Sequence, residues 1–358
     1  MTVATHPLDD PAVLGLDASG MFTHIRNVGT EFLRAWDAAS SLRPPAGAEN
    51  AEQVVICGVG GSATAADYFA TLTAPQARIA VHVVRGYTLP NFVSDRTLVV
   101  VCSYSGDTEE MLSLYADARS RGAMIVVITR GGQLGERADA DPAIVTWRVA
   151  YDSPPRAAMV HSLAPLLRLG AAIGLTTLER GDIERAGALH RDFVDERLGP
   201  EVAWFENEAK RLAFAIEGRI PIVIGAEHLA PAAVRFRNQL SENGKSLAVA
   251  ESLPEVGHNL VVGLGTAAVH GADLAVITLE SPSCYHPRIQ RRFEVITDQF
   301  AAEGIPVHRL APGGETVLDQ LLQATAWGDY VSCYLGLLNG FDPTPIPQIE
   351  ELRQGLDR

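Results

Sequence analysis

Short apolar runs rich in Val, Ile and Ala recur along the chain, separated by longer mixed segments. The first series reads VVICGVG (54–60), IAVHVVR (79–85), TLVVVCSYSG (97–106), AMIVVITRGG (123–132) and AIVTWRV (143–149). Runs this short, apolar on successive positions, fit strands covered on both faces, as in a parallel sheet with helices on each side. The segments 62–74 and 107–121 between them have helical spacing. A mostly helical stretch follows over 155–214. Within it, LERGDIERAGALHRDFVDERLG is so charged that it reads as a solvated connector. A second series then begins, with strands predicted at 220–226, 245–252, 274–281 and 305–311 and helices over 228–242, 287–303 and 315–339.

This alternation predicts an α/β chain of two doubly wound parallel-sheet lobes of similar plan. The expected division is a helical N-terminal extension (1–45), a first lobe (46–175), a helical connector (176–215) and a second lobe with C-terminal helices (216–358). With 358 residues and 47% hydrophobic positions, the chain can bury large cores without disulfides or metals.

Charge narrows the choice of partner. There are 29 basic and 43 acidic residues, a formal net charge of −14. That balance argues against nucleic acid and anionic membrane surfaces as partners, and leaves room for a small anion at a locally positive site. Cys57, Cys102, Cys284 and Cys333 form no CxxC pair, so neither a disulfide framework nor a zinc spacing is read. Cys57 and Cys102 lie in strand-like runs and are expected to be buried free thiols. The opening MTVATHPLDDPAVL lacks a basic stretch followed by an apolar core, and no run reaches membrane-spanning length, so a cytoplasmic location is expected.

Two strand–helix turns carry candidate chemistry. In VVICGVGGSATAADYF, glycines precede Ser62 and an alanine-rich helix. Glycines let backbone N–H groups approach a ligand, and a helix start attracts anions. Ser62 would cap that helix or donate to an anion. The permissive dinucleotide pattern also fits Gly58 to Ala63, but the second strand closes on Arg85-Gly86 rather than on an acidic residue. In VVVCSYSGDTEEML, a strand runs through Ser103, Tyr104, Ser105, Gly106, Asp107 and Thr108 into a helix, three hydroxyls cluster there, and Asp107 or Thr108 is the expected cap. Such a cluster can hold a phosphate monoester by hydrogen bonds. Two such turns at the carboxyl edge of one parallel sheet form a much more specific signal than either alone.

Together GVGGSA and SYSGDTEE resemble the phosphosugar-binding loops of sugar isomerase (SIS) domains. The stretch RFRNQLSENGKSLAVAESLPEVGHNLVVG, the segment SPPRAAM and the ending GDYVSCYLGLLNGFDPTPIPQIEELR are similar to the SIS-domain bifunctional phosphoglucose/phosphomannose isomerase family. The resemblance covers residues 50 to 355. It implies a sugar 6-phosphate held by Gly60, Gly61, Ser62, Ser103, Ser105 and Thr108. It implies Glu242 as the base, His258 as the ring-opening group and Arg156 as the stabiliser of an enediolate. It further implies no metal or cofactor, and a homodimer in which His258 reaches the partner's site. Thr344 and Arg353 stand where the family has substrate-contacting residues near its C-terminus; Arg353 replaces a lysine.

Those residue types suit aldose–ketose isomerisation, which needs a carboxylate base, a titratable donor–acceptor and a fixed cation. On residue type alone, Glu242 reads as a solvated helix-end carboxylate, His258 as a loop histidine and Arg156 as an ion-pair partner. Glu255 could orient His258 or face water. Lys245, one of two lysines with Lys210, reads as an exposed strand-start residue, and His161 as structural. A non-catalytic phosphosugar-binding regulator and an isomerase of another sugar phosphate are the competing readings.

Overall fold

The computed structural model describes residues 6–356 apart from 270 and 272. Its contacts divide the chain into two compact units, one of Val28–Ala188 and the other of the residues up to Asn27 with those from Leu189 onward. Among the described residues, no helix is long and apolar enough to cross a membrane.

The Val28–Ala188 unit holds five parallel strands: β1 (Gln53–Cys57), β2 (Ala80–Val84), β3 (Thr97–Ser103), β4 (Met124–Thr129) and β5 (Val145–Arg148). Their order is β2-β1-β3-β4-β5, with Cys57 opposite Val84 on one side and Val101 on the other. β3 is buried along its whole length, as its unbroken apolar run requires. β2 departs from the expectation of burial on both faces. It is an edge strand, with Ala80 and His82 exposed, and the other edge strand, β5, departs in the same way. Val55, Val99, Val101 and Ile125 pack with Met111 and Leu114 of the helix Glu109–Ser120.

The supposed solvated connector also differs from expectation. Its helix Arg180–Phe193 buries Ile183, Ala186 and His190 completely. Gly187 meets Gly29 of the helix Val28–Ala38 backbone to backbone; a Cβ on Gly29 would stand 2.3 Å from the Gly187 carbonyl oxygen. A charged majority hid a narrow buried stripe.

The second unit holds β6 (Ile220–Ala226), β7 (Val249–Leu253), β8 (Leu274–Leu279) and β9 (Val307–Leu310), all parallel in the order β7-β6-β8-β9. Through its middle runs the helix Val317–Leu338, buried from Leu318 to Leu337 and opened by a capping box of Thr316 and Asp319. It lies against the helix Ala230–Glu242, where bare Gly328 admits Phe236. The N-terminal turn is fastened to this unit by Lys210. That side chain is 1% exposed and donates to Asp9 Oδ1 at 2.8 Å and to the Pro200 and Val202 carbonyls.

Candidate active site

In a sheet ordered β2-β1-β3-β4-β5, strand order reverses between β1 and β3, and ligands of such sheets bind beyond the carboxyl ends at that point. The two turns singled out in the sequence are the ones that follow β1 and β3. Their strands are hydrogen-bonded neighbours, about 4.8 Å apart.

After β1, the chain enters the helix Gly60–Thr73 two residues earlier than the sequence suggests. Gly60 takes a left-handed φ of +55°, and Ser62 sits inside the first turn rather than capping it. The amides of Gly60, Gly61 and Ser62 are therefore the leading N–H groups of a helix, which have no acceptor within it. Ser62 is 8% exposed.

After β3, the Ser103 hydroxyl accepts from the Gly106 amide at 3.1 Å and lies 2.9 Å from Thr108 Oγ1. The Ser105 hydroxyl accepts from the Asp107 amide at 3.3 Å. Ser105 keeps its proton to donate elsewhere, and one proton of the Ser103–Thr108 pair is used within the pair. Gly106 is required here: its φ is +81°, and a Cβ would fall 1.8 Å from the Gly131 oxygen. Thr108 takes the capping position of the helix Glu109–Ser120 without a side-chain capping bond. Asp107 caps a different helix, accepting from the Gln133 amide at the start of Gly132–Asp139 at 3.0 Å. At the rim, the Tyr87 hydroxyl donates to Glu109, whose carboxylate pushes the phenol up to about 12. Arg85 pairs with Asp67, whose carboxyl burial lifts above the usual range.

Arg156 lies beside the first of these turns. It lies in the short helical turn Pro155–Ala157 and is 4% exposed. Gly61 packs directly against that turn, since a Cβ on it would stand 2.9 Å from the Pro155 oxygen and 3.4 Å from Arg156 Cα. His161, on the helix that follows, stacks on Tyr151 at 4.2 Å and lies 3.3 Å from Glu31. Burial lowers its pKa against the opposing pull of Glu31, in keeping with its structural reading.

In the other unit, Glu242 ends the helix Ala230–Glu242, whose preceding turns carry Arg235 and Gln239. Asn243 is buried and donates to Ser332 at 3.0 Å. Lys245 is not the exposed residue expected. It has a left-handed φ of +53°, and its ammonium donates to the carbonyls of Glu242 (2.5 Å), Pro343 (2.9 Å) and Pro345 (2.8 Å). Thr344 is thereby held beside the Glu242 turn. Arg353 is exposed on the last helix, Pro347–Leu356.

His258 is exposed in the turn Glu255–His258 that follows β7. Glu255 does not orient it, accepting instead from Asn259 at 2.8 Å. Glu242 and His258 are not brought together within this unit. The helix after β6 runs back along the sheet, so Glu242 stands at the amino edge where β7 begins, and His258 stands at the carboxyl edge where β7 ends. Five strand residues, about 17 Å, lie between those edges.

At the reversal point of this second sheet, between β6 and β8, nearby side chains bond to one another. Glu227 has a φ of +41° and accepts from the His286 amide, while His228, Gln320 and Ser283 form a hydrogen-bonded chain. An acidic side chain thus occupies the turn where the first unit offers glycine amides.

The thiols of Cys57 and Cys102 are buried as expected; burial pushes Cys57 up to about 12 and raises Cys102 as well. Among the described residues, no group of three or more His, Cys, Asp or Glu is arranged as a metal site.

Comparison with known proteins bears on this arrangement. Residues 49–153 match the SIS domain family, and residues 205–356 match the bacterial phospho-glucose isomerase C-terminal SIS domain. A bifunctional phosphoglucose/phosphomannose isomerase of Caldicellulosiruptor bescii is 34% identical over 337 residues, covering 94% of this chain and 98% of that one. A protein of the same name from Aquifex aeolicus is 29% identical, covering 90% and 94%. In structure, a hypothetical protein from Thermus thermophilus superposes with a TM-score of 0.72 at 17% identity, covering 97% and 94%, a likeness of fold.

Proposed function

The chain belongs to the bifunctional phosphoglucose/phosphomannose isomerase family, and we propose that it interconverts fructose 6-phosphate with glucose 6-phosphate and mannose 6-phosphate through a cis-enediol. The observation that carries this reading is the pair of hydroxyl- and amide-bearing turns beyond β1 and β3, with the buried Arg156 packed on the first. The phosphate takes the amides of Gly60 and Gly61 and the hydroxyls of Ser62, Ser103, Ser105 and Thr108. Glu242 moves the proton between C1 and C2, a role in which a positioned base contributes about 10²–10⁴-fold. Arg156 supplies fixed positive charge where the enediolate forms. His258 opens the sugar ring. Rotation about C2–C3 of the open chain gives both aldoses from one enediol. Thr344 and Arg353 are the candidates for choosing between them. The reaction needs no metal.

In the same reading the 46–175 lobe binds the phosphate, the 216–358 lobe carries the base, and the protein works as a cytoplasmic homodimer. The positions of Glu242 and His258 at opposite edges of one sheet support a site in which His258 comes from the partner copy.

The test is a coupled assay of the full chain with fructose 6-phosphate and excess EDTA, reading the two aldose phosphates separately. Formation of both is the expected result. If neither forms but fructose 6-phosphate still raises the melting temperature, the protein is a phosphosugar sensor instead. Glu242→Gln is expected to lower kcat by about 10²-fold or more while keeping that thermal shift. A near-normal kcat in this variant removes Glu242 from the role of base.

A further inference from the structure

Tyr104 stands between the two serines of the β3 turn, yet its side chain leaves that turn. Its hydroxyl donates to the Tyr151 carbonyl at 2.5 Å and accepts from the Ser153 amide at 3.1 Å. Its own carbonyl accepts from the Arg130 amide at 3.0 Å. The Arg130 guanidinium lies 6.0 Å over the ring and pairs with Asp152 at 2.8 Å. One phenol thus serves as donor and acceptor at once, to two residues of the same short segment.

That segment leads to Arg156. β5 ends at Arg148 and the next helical turn begins at Pro155, so the intervening residues belong to no strand or helix. Pro154 and Pro155 have no N–H to donate. The Tyr151 carbonyl and the Ser153 amide are the groups by which the β3 turn grips it. From the other side, Gly61 of the β1 turn presses on Pro155 and Arg156 without a side chain between them. The Arg156 segment is therefore held by both of the turns that take the phosphate.

We infer that Tyr104 is a positioning residue that couples an anion on Ser103 and Ser105 to the placement of Arg156. The inference deepens the isomerase reading and rests on it for the role of Arg156. An anion on the flanking serines fixes the backbone of the turn. Tyr104 cannot move independently of them, so the Tyr151–Ser153 segment and the arginine after it are fixed too. Phenylalanine would keep the ring under Arg130 and lose only the hydroxyl.

The experiment compares Tyr104→Phe with the unsubstituted protein by hydrogen exchange, with and without inorganic phosphate, and by steady-state turnover of fructose 6-phosphate. In the unsubstituted protein, phosphate should slow exchange over both 103–108 and 150–157. In Tyr104→Phe, exchange over 150–157 should be about ten- to a hundredfold faster, the scale of the two lost hydrogen bonds, and should no longer respond to phosphate, while 103–108 still does. Turnover should lose about tenfold in kcat with KM changed less than about threefold. Unchanged exchange over 150–157 overturns the inference. So does a loss confined to KM, which would make Tyr104 part of the phosphate turn alone. If Tyr104→Phe does not fold, Ser153→Pro removes the partner amide and must give the same pattern. If the unsubstituted protein does not turn over fructose 6-phosphate, the isomerase reading fails, and the exchange measurement still decides the coupling.

Discussion

Arg235 and Asp329 form a buried two-point ion pair, with one guanidinium nitrogen 2.9 Å and 3.1 Å from the two carboxylate oxygens. Gln239 donates to the same carboxylate at 2.6 Å. Arg235, Gln239 and Glu242 are spaced i, i+4, i+7 and so lie along one face of their helix. The pair therefore fixes the rotation of the helix that ends in the proposed base. Asp329→Ala leaves the Arg235 charge buried without its carboxylate, and is expected to cost about 3–5 kcal/mol in urea unfolding. Replacing both partners, Arg235→Met with Asp329→Leu, should recover most of that stability. Equal losses in the single and double variants would contradict this account.

Lys245 works as a latch between Glu242, the proposed base, and residues 343–345. Its three acceptors are backbone carbonyls from two segments about a hundred residues apart in sequence. A non-glycine residue in the left-handed region is uncommon, and here the ammonium contacts hold it there. Lys245→Gly tolerates the φ and removes the ammonium, so it separates the two effects. It should raise protease cleavage around 340–346 and lower kcat, with the melting temperature little changed. Cleavage and turnover like those of the unsubstituted protein would show that the latch has no function.

His190 gives a pH dependence of stability whose sign is set by its burial. It is fully buried, and neither ring nitrogen meets a hydrogen-bond partner among the described residues. Burial lowers its pKa from 6.5 to about 4. The folded state thus prefers the neutral ring. The stability tied to it is present above pH 6.5 and is lost as pH falls toward 4. Between pH 7 and pH 5 the unfolding free energy should fall by about 2 kcal/mol from this group. His190→Leu should remove that part of the slope, and an equally steep fall in the variant would refute the assignment.

The architecture is legible wherever burial is uniform. The run at 220–226 is β6 residue for residue, because a central strand is apolar throughout and carries no competing pattern. β2 looks the same in sequence, but its position at the edge depends on pairing, which the run does not encode. The hydroxyl cluster after β3 is readable as a strand–helix turn. Its internal division of labour is not, because Asp107 caps a helix that begins 25 residues later in the chain. Lys245 escapes a sequence reading for a similar reason: its partners at Pro343 and Pro345 are tertiary. The distance between Glu242 and His258 is hidden as well. Only the direction of the helix and the strand between them separates two residues that are sixteen apart in sequence.

That separation makes the proposed site divisible between chains, so it can be tested by complementation. A Glu242→Gln chain still supplies a histidine, and a His258→Ala chain still supplies a glutamate. If each site draws one from either copy, the two inactive homodimers should regain activity when unfolded and refolded together. Random pairing makes half of the dimers mixed, and twofold symmetry leaves one intact site in each, so about a quarter of normal activity should return. Lasting inactivity of the mixture, with dimers present by light scattering, would place both groups on the same chain.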